Sequence, residues 1–185
     1  MLARSLLALA AAALPLITAA PALNPPATLT ETSPRITHTV VAGRPGLRFD
    51  PENIVAEVGS IVEFHFLQLN HSVAEAAFAA PCVPKDAASF FSGFFPVPSN
   101  PDRSTSQSKE VFQIEVKDDN PIWFYCSQAR HCQSSMVGVV NQEFDTGKTL
   151  DVFRSAAARV QGLSGMQAAV QGGVRRENPN PLGGF

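Results

Sequence analysis

Short apolar runs of period two, each closed by glycine, proline or asparagine, set the fold class of this chain. The clearest is residues 61–67, where Val62, Phe64 and Phe66 face one way and Glu63 and His65 the other. Such alternation marks a strand, because successive side chains point to opposite faces of a sheet. Residues 111–116 alternate in the same way, and the β-branched run 36–41 ends at Ala42-Gly43. Residues 53–56 lead into Val58-Gly59-Ser60, a turn signal. Residues 121–126 and 137–140 are continuous apolar runs of the kind found in buried strands. Many short strands between breakers specify an all-β sandwich or barrel and exclude an α/β layout. One helix is expected from Thr149 to about residue 161, packed across the sandwich, with Leu150, Phe153, Ala157 and Val160 on one face and Gly162 ending it. Residues 82–103 fit no simple strand, and Phe90, Phe91, Phe94 and Phe95 are expected to form that long loop's own packing core.

The termini read differently. A basic start at Arg4, a Leu/Ala run to Ile17 and a small-residue exit make residues 1–22 a secretory signal, cut between Ala19 and Ala22. The run falls short of a membrane span and Pro15 breaks it, so no transmembrane segment is expected after its removal. Residues 23–34, rich in Pro and Thr, are expected to be a linker and 35–162 the folded domain. Residues 163–185, rich in Gly, Asn, Arg and Pro, are expected to be a disordered tail without a lipid-anchor signal. A net charge of −2 without a basic stripe argues against a nucleic-acid partner. Three cysteines exclude a disulfide-dense miniprotein, and four histidines are too few for several metal centres.

One metal site remains open to the chain, and its donors stand in one loop. Cys126, His131 and Met136 follow the spacing C-x4-H-x4-M, with the Cys ending one strand and the Met beginning the next. Upstream, His71 in Asn70-His71-Ser72 directly follows another strong strand. Two imidazoles, a thiolate and a weak thioether are the ligand set of a mononuclear type 1 copper site. The sulfur donors favour Cu(I) and the imidazoles also accept Cu(II), so a rigid site of this kind changes little on electron transfer.

On these residues the chain resembles the cupredoxins, close to the phytocyanins and above all to fungal secreted cupredoxin-like proteins. The matching stretches are residues 46–49, 62–66, 70–73, Pro81-Cys82, 121–126 and 131–137, within a resemblance that spans residues 36–141. It implies a Greek-key cupredoxin β-sandwich with one C-terminal helix, and His71, Cys126, His131 and Met136 as ligands of one copper ion cycling between Cu(I) and Cu(II). Phytocyanins tie the cysteine after the second His ligand to an upstream strand, which implies a Cys82–Cys132 disulfide. With Cys126 as ligand, that pairing accounts for all three cysteines. The alternative, a Cys126–Cys132 bridge, would abolish the site and leave Cys82 free. Relatives usually carry Gly before the axial Met, where this chain has Ser135. If the backbone there needs positive φ, Ser costs about 1 kcal/mol.

Neighbouring residues receive plainer readings. His38 and His65 are expected to be ordinary surface or hydrogen-bonded histidines. Asn70-His71-Ser72 is formally a glycosylation sequon. Asn70 and Ser72 are instead expected to hydrogen-bond the site from behind, with Ser72 holding the two ligand loops together. Arg130 either places a positive charge beside His131 or is a solvated loop residue.

The function expected is a secreted, extracellular or cell-wall copper protein that carries one electron at a time through the His131 edge. Its partner would be a redox protein or a small redox molecule. An enzyme is not expected: in laccase-like oxidases the copper cysteine is flanked by histidines, whereas Tyr125 and Ser127 flank Cys126. The alternative is a non-redox copper-sequestering or cell-wall interaction module on the same fold. Zinc could fill the same donors during recombinant expression.

Overall fold

The computed structural model describes residues 35–44, 46–99 and 106–182. The expected signal (1–22) and linker (23–34) lie outside the described residues. The strands are β1 (Thr37–Ala42), β2 (Phe49–Asp50), β3 (Asn53–Ile54), β4 (Ile61–Phe66), β5 (Leu69–His71), β6 (Ala74–Ala76), β7 (Phe95–Val97), β8 (Glu110–Glu115), β9 (Ile122–Tyr125), β10 (Val137–Val140) and β11 (Val174–Glu177). The helix α1 (Leu150–Ala157) lies between β10 and β11 in the chain.

Two sheets face each other. One has the order β11-β8-β4-β1-β2, the other β3-β10-β9-β6, and β5 pairs with β7 as a separate ribbon. β1 runs parallel to β4, with Thr37 opposite Ile61, and β8 runs antiparallel to β4, with Phe64 opposite Phe112. Between the sheets Val40, Val62, Phe64, Phe66 and Phe112 meet Ile54, Phe124 and Val140. Phe64 and Phe124 pack edge to face across this gap, with ring centroids 5.3 Å apart.

β9 explains its own unbroken apolar run. Phe124 and Cys126 belong to the core between the sheets, while Trp123 and Tyr125 belong to a second core on the outer face of the smaller sheet. Both faces are covered, so neither needs polar residues. Gly138 of β10 makes the fit possible, since a Cβ there would stand 2.3 Å from the Phe124 ring. The second core is capped by Leu150, Phe153 and Ala157 of α1, which packs on β10. Thr149 caps the helix by accepting from the Val152 N–H at 3.3 Å. The helix stops at Ala157, short of the expected end near residue 161, though Val160 still packs against the same core.

His65 is hydrogen-bonded, as expected, while the expectation of a disordered tail needs correction. His65 and Glu63, read as the polar face of β4, are buried, with 3% and 6% of their surface exposed. Their outer face is closed by polar partners: His65 Nε2 lies 2.6 Å from Glu63 Oε1, and Gln113 Nε2 donates to Glu63 Oε2 at 2.6 Å. The expected disordered tail instead contributes β11, which pairs antiparallel with β8. Composition hid this because the segment is held by polar side chains on backbone carbonyls. Gln167 donates to Asp86 O (2.6 Å), Gln171 to Ala87 O (2.7 Å) and Asn178 to Ser108 O (2.8 Å). Arg175 donates to Ser92 O and Phe94 O at 3.0 and 2.9 Å and lies 4.0 Å over the Phe95 ring. The phenylalanine-rich loop keeps no core of its own: Phe90 and Phe95 join the core between the sheets, where Phe95 stacks on Phe66, and Phe91 joins the second core with Phe94 packed against it. Among the described residues no helix is long and apolar enough to cross a membrane.

Candidate metal centre

Three strand ends bring the candidate donors together. Cys126 follows β9 on its inner face, and the Cys126 N–H donates to Met136 O at 3.0 Å, so β9 and β10 stay paired up to the loop they flank. Within the loop, the His131 N–H donates to Gln128 O (2.8 Å), and the Ser135 and Met136 N–H groups donate to Cys132 O and His131 O (both 3.0 Å). These bonds fold residues 127–135 into tight turns that return His131 to Cys126. His71 ends β5, where it stands opposite Phe95 of β7.

The donor atoms of His71, Cys126 and His131 all lie within 4.8 Å of one another. Cys126 Sγ is 3.5 Å from His131 Nδ1, and the two imidazole centroids are 5.2 Å apart. Metal–donor bonds of about 2.0–2.3 Å span a triangle with edges of roughly 3.5–4 Å, so the cluster is sized for one ion. His71 supplies the most telling test of fit. Its Nε2–H donates to Gln68 O at 3.2 Å, which fixes the tautomer and leaves Nδ1 as a lone-pair donor. That Nδ1 is buried and has no hydrogen-bond partner. A buried acceptor left unpaired is costly, and a cation among these donors would satisfy it.

Burial leaves the two imidazoles as neutral donors and works against the thiolate. His71 and Cys126 are fully buried, while His131 keeps part of its surface exposed. Burial lowers the His71 pKa to about 4, with His131 adding repulsion and the Gln68 carbonyl opposing; burial lowers that of His131 as well. Both rings are therefore neutral donors at neutral pH. Burial pushes the Cys126 thiol up, against the pull of the Gln128 and Ser72 backbone N–H groups and the Ser72 hydroxyl. Met136 is fully buried in the same core cluster as Cys126, and Ser135 before it adopts φ +77°.

Around the donors, Ser72 ties the two ligand segments together. Its N–H donates to Cys126 Sγ at 3.4 Å, its Oγ accepts from the Ser127 N–H at 2.9 Å, and its Oγ and Ser127 Oγ are 2.8 Å apart. Asn70 Nδ2 donates to Gln128 Oε1 at 2.8 Å. Cys82 and Cys132 form a disulfide, and Cys126 is the free cysteine. Arg130 is an exposed loop residue whose Nη1 donates to Gly162 O at 3.0 Å. Sequence reasoning missed Gly43, Gln68 and Gln128. Gly43 has φ +98°, and a Cβ on it would stand 2.7 Å from His71 Nε2. In sequence it is only the glycine that ends a strand, with nothing to show which side chain passes over it.

No protein-family model matches the chain. It is 33% identical over 135 residues to "Extracellular serine-rich protein" of Arthroderma benhamiae, covering 73% of this chain and 50% of that one. It is 34% identical over 119 residues to "Probable GPI-anchored cupredoxin-1" of the same fungus, covering 64% and 57%. The chain thus spans about half the length of the first relative and somewhat more of the second. Among solved structures it is similar to auracyanin A of Chloroflexus aurantiacus, with a TM-score of 0.39 at 15% identity over 58% of this chain and 98% of that one. A plastocyanin of the fern Dryopteris crassirhizoma gives a TM-score of 0.35 at 19% identity over 56% and 97%.

Proposed function

We propose that this chain is a cupredoxin that binds one copper ion through His71 Nδ1, Cys126 Sγ and His131 Nδ1, with the Met136 thioether as a weak fourth donor, and carries single electrons. Copper held by such donors supplies a one-electron Cu(II)/Cu(I) couple at a soft, trigonal site. The observation that carries the reading is the unpaired, buried His71 Nδ1 facing the one free cysteine and a second imidazole.

The surrounding residues suit that task. Gln68 holds His71 in the required tautomer, and Ser72 holds the Cys126 sulfur and the Ser127 backbone from one side. The Cys82–Cys132 disulfide anchors the residue next to His131 to a different part of the chain. A donor cage fixed this firmly cannot rearrange much between oxidation states. His131 alone among the four donors retains exposed surface, so its edge is the route for the electron. The buried donors leave no evident approach for a substrate, which favours electron carriage over turnover. The partner is then a redox protein or a small redox molecule meeting the His131 edge. The names of the two fungal relatives support a secreted protein at the cell surface or cell wall.

A visible titration with Cu(II) followed by a reductant tests the reading. An intense blue sulfur-to-copper band at one equivalent, bleached and restored by one electron and lost in Cys126→Ser, is the expected result. Colourless copper binding would point to sequestration, and oxygen-consuming turnover of a phenol would point to an oxidase.

A further inference from the structure

The segment that follows α1 does more than leave the domain. Gly162, with φ +80°, turns the chain back onto the ligand loop. There the Ser164 N–H donates to Ala129 O at 2.8 Å, and the Gly165 N–H donates to Cys82 O at 2.8 Å. Gly162 O accepts from Arg130 Nη1 (3.0 Å) and Gln133 Nε2 (3.3 Å), and Ser164 Oγ donates to Gln133 Oε1 at 3.0 Å. Gly165 O accepts from the Tyr125 hydroxyl at 3.0 Å, and a Cβ on Gly165 would lie 3.1 Å from Pro84. Residues 162–165 therefore bond both sides of the Cys82–Cys132 bridge and the loop that carries His131.

We propose that residues 162–165 are a clasp that positions the ligand loop and sets how fast metal enters and leaves the site. The argument is steric first. His71, Cys126 and Met136 have no exposed surface, so an ion reaches them only when the loop 127–135 swings out. The loop's own bonds are short-range turns, which open locally at small cost, and of its outside ties the Cys82–Cys132 bridge is covalent and acts as the pivot. The clasp adds bonds from a segment distant in sequence, and these must break before the loop can swing. Ser164 and Gln133 are the positioning residues, since they bond each other and both engage the segment–loop contact. The entry of copper rests on the site proposed above; the restraint of the loop does not.

Amide hydrogen exchange of the metal-free full chain tests the restraint, and stopped-flow appearance of the blue band tests the entry. In Gln133→Leu and in Ser164→Ala/Arg130→Ala, exchange of the His131, Ser134 and Met136 amides should quicken by about tenfold, as loss of two modest hydrogen bonds implies. Exchange at Trp123 and Val139 should stay unchanged, and Ser164→Thr should behave as wild type. Copper loading should accelerate by a similar factor, with the final spectrum kept. Unchanged loop exchange overturns the clasp, and so does acceleration spread equally over β9 and β10, which would mean general destabilisation. A wild-type chain that shows clasp-dependent exchange but never turns blue would sink the copper reading and leave the clasp standing.

Discussion

At His71 a backbone carbonyl decides which ring nitrogen is available, and a glycine decides where the ring can lie. The carbonyl is Gln68 O, and the glycine is Gly43, whose missing Cβ leaves room 2.7 Å from Nε2. Gly43→Ala should therefore displace the ring and weaken copper binding by at least about tenfold, read by competition with a chelator; an unchanged affinity would show that the ring does not need that space. Burial gives His71 a second consequence. Its folded pKa of about 4 lies below the ordinary 6.5, so the unfolded chain binds the proton first as pH falls. The metal-free protein should lose up to about 3 kcal/mol between pH 6.5 and 4 from this group. Urea unfolding at both pH values should show the loss, and His71→Gln should shrink it; an equal loss in the variant would refute the assignment. Ser135 holds φ +77°, a conformation that favours glycine. Ser135→Gly should stabilise the protein by about 1 kcal/mol in the same assay, and destabilisation would mean that the hydroxyl makes a compensating contact. The spacing of Cys126 and His131 was legible in sequence because one short loop carries both, whereas His71, which the structure brings beside them, comes from a distant strand end. Gly43, Gln68 and Gln128 were not legible, since they act through a missing atom, a carbonyl and an amide that any sequence can carry.

Elements were legible where their periodicity was long. β1, β4, β8, β9 and β10 each follow a run of four or more apolar or alternating residues, and α1 follows a capped amphipathic stripe. β2, β3, β5, β6 and β7 have only two or three residues each, and pairing with neighbours defines them more than any local pattern. β5 matters most among these, because it delivers His71 to the site, and only the strength of the preceding strand hinted at it. The ligand loop gains its stiffness from a covalent link between positions 50 apart in the sequence. Replacing both Cys82 and Cys132 with Ala should lower stability by about 2–4 kcal/mol and broaden the copper spectrum. A variant with full stability and an unaltered spectrum would show that the loop is held by its hydrogen bonds alone.

Across the whole molecule the main revision concerns where the domain ends. Residues 163–182 wrap the phenylalanine-rich loop and complete the larger sheet through β11, so the folded unit extends beyond the expected boundary at 162. The missed signal was polar: Gln167, Gln171, Arg175 and Asn178 satisfy carbonyls of irregular backbone, and an apolar pattern cannot report that. Arg175→Ala should cost about 1–2 kcal/mol, by loss of two carbonyl bonds and its stacking on Phe95, measured by thermal unfolding; a change below a few tenths would make the wrap incidental. The same wrap carries the chain from the metal loop to the far edge of β8, so the site and the larger sheet are mechanically one structure. X-ray absorption at the copper edge of the loaded, full-length protein tests the central claim most directly. The account predicts one short copper–sulfur distance and two imidazole nitrogens in both oxidation states, with the short sulfur contact absent in Cys126→Ser. Coordination by nitrogen and oxygen alone, or a sulfur contact that survives that substitution, would contradict it.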